Sequence, residues 1–239
     1  MATTTARRRE PASDALAGYF EQGFLLARDV LTTAECERLR RTARGLPSFL
    51  AGEVSPANNP HRTHAEFLDA LMHPAIVRIA ERLVGGALSG LQTQVLYTLP
   101  GTPGFNVHQD NFYIGTAVDA LVSAWVALED ATVENGTVFA YPGSHREPVL
   151  PVEEVPDAAP HPGQTFNGLR LRTTVPPGYA RMDLDVPAGA VVFIHGQLLH
   201  GSHANASTRT RMTLLMSYVR RGEPFRRGER GQRTAIEIG

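Results

Sequence analysis

The sequence predicts an α+β protein whose helices pack outside an antiparallel jelly roll, and three observations point to it. Segments before Gly90 carry helix start and stop signals, segments after it are short apolar alternations divided by turns, and the helices come first. Length sets the scale, because 239 residues with 42% hydrophobic side chains suffice for one core and favour a single domain.

Taken in order, residues 1–11 have the composition of a disordered tail. From about Ala12, SDALAGYFEQ is a short helix, and GFLLARDV is a strand rich in apolar and β-branched residues. Thr32 and Glu35 stand at capping-box spacing ahead of CERLRRTAR, which Gly45 and Pro47 close. A polar loop rich in Pro and Asn runs from Gly52 to Arg62, after which Thr63 and Glu66 repeat the capping-box spacing before FLDALM. Pro74 opens a further helix that Gly85 and Gly86 end. Strands are expected at about 91–99, 105–110, 120–129, 137–141, 180–186, 190–195 and 211–219, with Asn135-Gly136 a tight turn between two of them. Residues 148–178 form a proline-rich excursion, too long for a structureless loop and so expected to be a lid or insert, in which GLRLRTTV is an additional strand. The domain is expected to span residues 12–221, with 222–239 as an arginine-rich, solvated tail.

Composition removes several kinds of chemistry. All 23 basic residues are arginine, so a pyridoxal Schiff base, a lysine nucleophile and a lysine-containing phosphate loop are excluded. A single cysteine, Cys36, excludes a disulfide framework and multi-thiolate zinc sites; its place in a helical pattern marks it as a core residue. With a formal net charge of −1 there is no global basic field for nucleic acid, and no apolar run approaches the roughly 20 residues that span a bilayer. The expectation is a cytoplasmic protein whose partner is a small molecule, without nucleic acid or membrane.

One stretch carries candidate chemistry. FNVHQDNFY sets an imidazole and a carboxylate two residues apart, at His108 and Asp110, which point the same way in an extended chain. Alone, such a pair is equally explained by a buried hydrogen bond. A third ligand is offered by His200, which follows AVVFIH and its turn, and two histidines with one carboxylate make the facial triad of non-haem Fe(II) sites. His195 and His203 flank it and leave open a zinc site built with His108. Arg211 begins the alternation RMTLLMSYV, so its side chain can point inward with Thr213, and an arginine fork there suits a buried carboxylate; an exposed strand-end arginine is the other reading. On LQTQVLYT, Gln92, Gln94, Leu96 and Thr98 share a face.

Four blocks, in this order, resemble the phytanoyl-CoA dioxygenase family of Fe(II)/2-oxoglutarate oxygenases: YFEQGFLLARDVLTTAECERLR, PGFNVHQDNFY, WVALEDATVENGTVFAYPGSH and GAVVFIHGQLLHGSHANASTRTRMTL. The resemblance covers roughly Ser13 to Arg221. It implies a double-stranded β-helix of the cupin-like kind, His108, Asp110 and His200 as the catalytic iron ligands, and 2-oxoglutarate and O2 as cosubstrates. It further implies that Arg211 holds the distal carboxylate of 2-oxoglutarate, that Ser202 assists it, and that Trp125 packs against it. The family often has lysine where Thr98 stands, so the pocket is completed differently here, with Gln94 a donor. Halogenating relatives have a small residue in place of Asp110, so a carboxylate there favours hydroxylation or desaturation. His145 is taken as structural. Substrate contacts are expected from Asn111, Phe112 and Tyr113 and, in the earlier loop, from Arg62. By analogy the chain is a tailoring enzyme for a secondary metabolite; the alternative is a jelly roll that binds a metal or ligand without turnover.

Overall fold

The computed structural model describes residues 13–53, 56–155 and 171–239. The expected tail at residues 1–11 lies outside them. Helix α1 (Ser13–Gln22) leads into strand β1 (Phe24–Ala27), and α2 (Thr33–Arg44) and the single turn α3 (Pro47–Leu50) follow. The capping box of α2 is formed. Thr32 Oγ1 accepts from Glu35 N at 3.2 Å while Glu35 Oε2 accepts from Thr32 N at 2.7 Å. One face of α2 buries Cys36, Leu39 and Ala43, at helical spacing.

The second capping box does not form. Pro60–Arg62 makes a 3-10 turn in which Thr63 N donates to Pro60 O, so helix α4 (Ala65–Leu71) starts one residue later than expected, with His64 at its N-cap. Thr63 Oγ1 is bonded to His64 Nδ1 instead. Helix α5 (Pro74–Val84) begins and ends as expected, with Pro74 in its first turn and Gly85 left-handed at φ 70°.

The remaining strands are β2 (Ala57–Asn58), β3 (Leu88–Thr98), β4 (Leu121–Ala127), β5 (Val138–Ala140), β6 (Val152–Glu154), β7 (Leu171–Thr173), β8 (Met182–Asp183), β9 (Val191–His195), β10 (His200–Ser202), β11 (Arg211–Arg220) and β12 (Ile236–Glu237). A major sheet runs β1-β9-β4-β11-β3-β12 with β2 beside β3, and a minor sheet runs β10-β5-β8. Every pairing in both is antiparallel, as a jelly roll requires.

Period-two alternation assigns the two faces of the major sheet. Met212, Leu214, Met216 and Tyr218 of β11 join Val122, Ala124 and Val126 of β4 against Leu39, Phe67, Ile76 and Leu83 of the helices. The opposite face sets Trp125, Val192 and Ile194 against Val138, Ala140 and Leu184, between the sheets. It also turns Arg211, Leu215 and Ser217 into a cavity. A register shift between Ser217 and Tyr218 skips Leu91, which moves to a third cluster with Ile114 and Leu121.

Three expectations are corrected. Residues 105–110 are not a strand. His108 forms one antiparallel bridge with His200, after which Asn111 N donates to Gly196 O and the chain coils into α6 (Asp110–Ile114). Only Met182–Asp183 of the 180–186 stretch is strand, followed by a bridge at Val186. Asn135-Gly136 forms the turn expected between two strands, β4 and β5, with Asn135 Oδ1 accepting from Thr132 N, although those strands belong to different sheets. Finally, residues 222–239 are not a solvated tail, because β12 pairs with β3 and Ile238 is buried in the main core. Within the excursion at 148–178, GLRLRTTV supplies β7, which pairs with β6; residues 156–170 lie outside the described residues.

Candidate active site

The bridge between His108 and His200 is what assembles the centre. Each N–H donates to the other's carbonyl, at 2.9 and 3.1 Å, and the rings lie 4.3 Å apart between centroids. Asp110, opening α6, brings its Oδ1 to 3.6 Å from His108 Nε2 and 3.9 Å from His200 Nε2. The three ligand atoms lie within 4.8 Å of one another. The turn into α6, rather than an extended strand, is what carries the carboxylate there.

Close backbone approach depends on glycine at one point in particular. A Cβ on Gly104 would fall 1.8 Å from Ser202 O, so only glycine lets the chain before His108 lie against the segment that carries His200.

Ring tautomers follow from the backbone. His108 Nδ1 is 2.7 Å from Asn106 O and His200 Nδ1 is 3.0 Å from Leu198 O. A carbonyl can only accept, so each Nδ1 carries a proton and each Nε2 faces Asp110, that of His200 as a lone pair and that of His108 sharing a proton with the carboxylate, a proton a bound metal would displace. Ser123 Oγ donates to Asp110 Oδ2 at 2.6 Å, which leaves Oδ1 on the histidine side. Burial and the neighbouring His108 push His200 down to about 4, so it is neutral. Burial opposes ionisation of Asp110, but His200, His108 and the Ser123 hydroxyl together hold its carboxyl below the usual carboxylate range. Burial likewise opposes charge on His108, and its bond and attraction to Asp110 outweigh that and raise it. Two imidazole nitrogens and one carboxylate oxygen, oriented on a common point by their other atoms, fit a divalent metal of the non-haem Fe(II) kind.

The second component is Arg211, opposite Thr98 in the β11–β3 register and only 4% exposed. Its Nε donates to Asn135 O at 3.2 Å, Nη2 to Thr98 Oγ1 at 2.7 Å and to Gly136 O at 2.8 Å, and Nη1 to Thr213 Oγ1. The guanidinium lies over the Trp125 ring, 5.3 Å from its centroid. Burial pushes it down to about 10, partly offset by Glu129. No carboxylate among the described residues forms an ion pair with it. A buried, oriented cation without an internal counter-charge suits an anionic ligand. Thr98, at the position where the family often has lysine, serves here as a prop for Arg211.

A cavity of about 610 Å³ joins the two components. Its walls include the triad, Arg211, Trp125, Ser202, Gln94 and Tyr113. Ser202 Oγ accepts from Phe105 N at 2.9 Å, and Gln94 Nε2 donates to Asn58 Oδ1 at 2.8 Å. Three expected substrate residues lie elsewhere. Asn111 is buried and ties off the end of α6 by bonding both the N–H and carbonyl of Thr116. Phe112 stacks edge-on with Tyr113 and offers only its carbonyl, to Arg226. Arg62 donates to Gln232 O in the C-terminal segment. The zinc alternative also fails geometrically, since His195 is bonded to Asp119 and His203 to Asp183, each at 2.8 Å, outside the triad. Sequence reasoning missed Ser123, whose spacing from Trp125 places it on the inner face of β4, and it missed Gly228, Gly231 and Arg233, which line the cavity.

A facial triad and a buried arginine sharing one jelly-roll cavity define the class of Fe(II)/2-oxoglutarate-dependent oxygenases. Residues 19–213 match the family model of phytanoyl-CoA dioxygenase (PhyH), and the chain belongs to that family. It is 34% identical over 133 residues to phytanoyl-CoA dioxygenase 1 of Oryza sativa subsp. japonica, covering 54% of this chain and 44% of that protein. It is 33% identical over 125 residues to phytanoyl-CoA dioxygenase of Arabidopsis thaliana, covering 51% and 41%. The chain thus spans less than half the length of these relatives. Among solved structures, the non-haem α-ketoglutarate-dependent carbocyclase SnoK from nogalamycin biosynthesis superposes with a TM-score of 0.74 at 24% identity, covering 92% of this chain and 88% of that one. EvdO2 from Micromonospora carbonacea var. aurantiaca, complexed with 2-oxoglutarate, gives 0.73 at 19% identity, covering 96% and 94%. At those identities the likeness concerns the fold. No helix among the described residues is long and apolar enough to cross a membrane.

Proposed function

We propose that the protein is an Fe(II)- and 2-oxoglutarate-dependent oxygenase that hydroxylates or desaturates a small molecule, in a secondary-metabolite tailoring step. One observation supports this most: His108, Asp110 and His200 share a cavity with a buried guanidinium, Arg211, that has no carboxylate partner among the described residues. A protein that merely bound a metal would have no use for such an anion clamp. The structural neighbours named for nogalamycin biosynthesis favour the tailoring role over acyl-CoA oxidation.

Fe(II), which His108, Asp110 and His200 would hold, would supply the oxidation: 2-oxoglutarate and O2 would give succinate and CO2, with one oxygen atom of O2 going to succinate and the other to a substrate C–H bond as hydroxyl, or to water with two substrate hydrogens in a desaturation. The chain's own side chains do the rest. With metal bound, His108 and His200 would present neutral Nε2 atoms, because the carbonyls of Asn106 and Leu198 hold their Nδ1 protons. Ser123 orients the Asp110 carboxylate. Arg211, braced by Thr98, Thr213 and two backbone carbonyls, receives the distal carboxylate of the cosubstrate through its charge and the one N–H of Nη1 that those bonds leave over. The Ser202 hydroxyl accepts from Phe105 N and keeps its own proton for the same carboxylate. Trp125 and Leu215 exclude water on the sheet side of the cavity.

The test is succinate release from 2-oxoglutarate by purified protein with Fe(II) and O2, with and without candidate substrates. Slow succinate formation that needs both Fe(II) and O2, and that stops in Asp110→Ala, is the expected result. Absence of any succinate under those conditions, with metal and 2-oxoglutarate bound, favours the non-catalytic alternative.

A further inference from the structure

We propose that the C-terminal segment is a wall of the active-site cavity, and that Arg233 on it receives a carboxylate of an otherwise apolar substrate; this rests on the oxygenase reading above. The segment is built into the fold at both ends. Phe225 packs against the cluster containing Ile114, β12 pairs Ile236 with Gly90, and Ile238 is 4% exposed. Between those points Arg226 N donates to Ile114 O at 2.7 Å, Asn59 Nδ2 donates to Gly231 O at 2.7 Å, and Arg62 donates to Gln232 O. The helix that begins with Asp110 is therefore in direct contact with the segment.

Arg233 lines the same cavity as the triad. Its Nη1 donates to Tyr113 O and Arg226 O, each at 3.3 Å, which turns that edge to the wall. Its Nε is buried and has no hydrogen-bond partner among the described residues. A buried donor left unmet is costly, and a small turn of the guanidinium toward the cavity that met a ligand oxygen would remove that cost. A carboxylate matches the charge and the planar geometry of guanidinium better than a neutral oxygen does. Of the other charged side chains on these walls, Asp110 and Arg211 belong to the site described above and Glu154, Glu229 and Arg230 are exposed, so Arg233 is the partly buried cation on this side. Leu96, Ile114, Leu171 and Leu215 supply the apolar surface for the rest of the substrate.

Glycine makes room for the guanidinium. A Cβ on Gly231 would fall 2.9 Å from Arg233 Cζ, the far end of a flexible side chain, and Gly231 is not among the left-handed glycines. Gly231→Ala therefore displaces Arg233 without removing its charge and without backbone strain.

Trp125, the sole tryptophan, lies on the cavity wall and reports binding by fluorescence. The full chain loaded with Mn(II) is titrated with 2-oxoglutarate, then with 4-cyclohexylbutyrate or, separately, its amide. The wild-type protein is expected to bind the acid roughly tenfold or more tightly than the amide. In Arg233→Gln and in Gly231→Ala that preference falls to near unity, while the response to 2-oxoglutarate is unmoved. Binding of neither probe, equal binding of both by the wild type, or a preference that survives Arg233→Gln overturns the role of Arg233. A wild type that gives no response to 2-oxoglutarate overturns the oxygenase reading, and this proposal with it.

Discussion

Ser123→Ala isolates the support of the metal centre from the centre itself. Ser123 is fully buried on β4 and donates to Asp110 Oδ2 at 2.6 Å, while the Asp110 side chain is 12% exposed. A hydrogen bond to a buried charged group contributes about 1.5–3 kcal/mol. Its loss lowers the stability of the metal-free protein by that amount, a fall of roughly 3–12 °C in Tm at this chain length. The metal effect is separate. Without the Ser123 hydroxyl the carboxylate is free to rotate, and residues that orient a ligand in this way are typically worth roughly tenfold to hundredfold in metal affinity. Mn(II) titration by calorimetry reads the second effect and thermal unfolding the first. Mn(II) affinity within about twofold of wild type, alongside a lowered Tm, would show that Ser123 only packs and would refute this reasoning.

Arg211→Lys keeps the charge but loses the bonds to Thr98, Thr213, Asn135 and Gly136 that hold it in place, so 2-oxoglutarate affinity falls roughly tenfold or more while Mn(II) affinity is unchanged, as paired calorimetric titrations would show. Gly104→Ala puts a methyl 1.8 Å from Ser202 O, and because backbone must give way, metal binding is expected to be lost together with stability; wild-type Mn(II) affinity in that variant contradicts the close approach. Thr32→Ala removes the hydroxyl that accepts from Glu35 N, leaving the reciprocal bond from Thr32 N to Glu35 Oε2, and costs about 1 kcal/mol in chemical unfolding, with metal affinity unaffected.

Much of this fold is written locally, and the parts that are not share one cause. Thr32 with Glu35, Pro74 and Gly85 state helix ends through their own hydrogen bonds or dihedrals, so they read correctly from short windows. The alternation of β11 likewise reveals which side chains share a face with Arg211. Thr63 and Glu66 have the same spacing as a working cap, yet the preceding 3-10 turn claims Thr63 as its own end, a competition invisible in the pair alone. Asp110 was expected to join His108 by alternation along a strand. It reaches the same point from the first turn of a helix, because the chain there holds to the sheets by isolated bonds and one bridge to His200, a partner about ninety residues on, rather than by a ladder. The C-terminal segment is the extreme case. Its arginines read as solvated, but Ile236 and Ile238 are enough to dock it on β3 once that strand exists, and only long-range pairing brings Arg233 to the cavity.

The most direct test of the central claim is anaerobic addition of Fe(II) and 2-oxoglutarate to the purified full chain, followed in the visible spectrum. A triad that binds iron beside an arginine that seats the diacid predicts a charge-transfer band that appears only with both added, saturates at one equivalent of each, and vanishes in His200→Ala. No band at saturating Fe(II) and 2-oxoglutarate, or a band undiminished in His200→Ala, would contradict it.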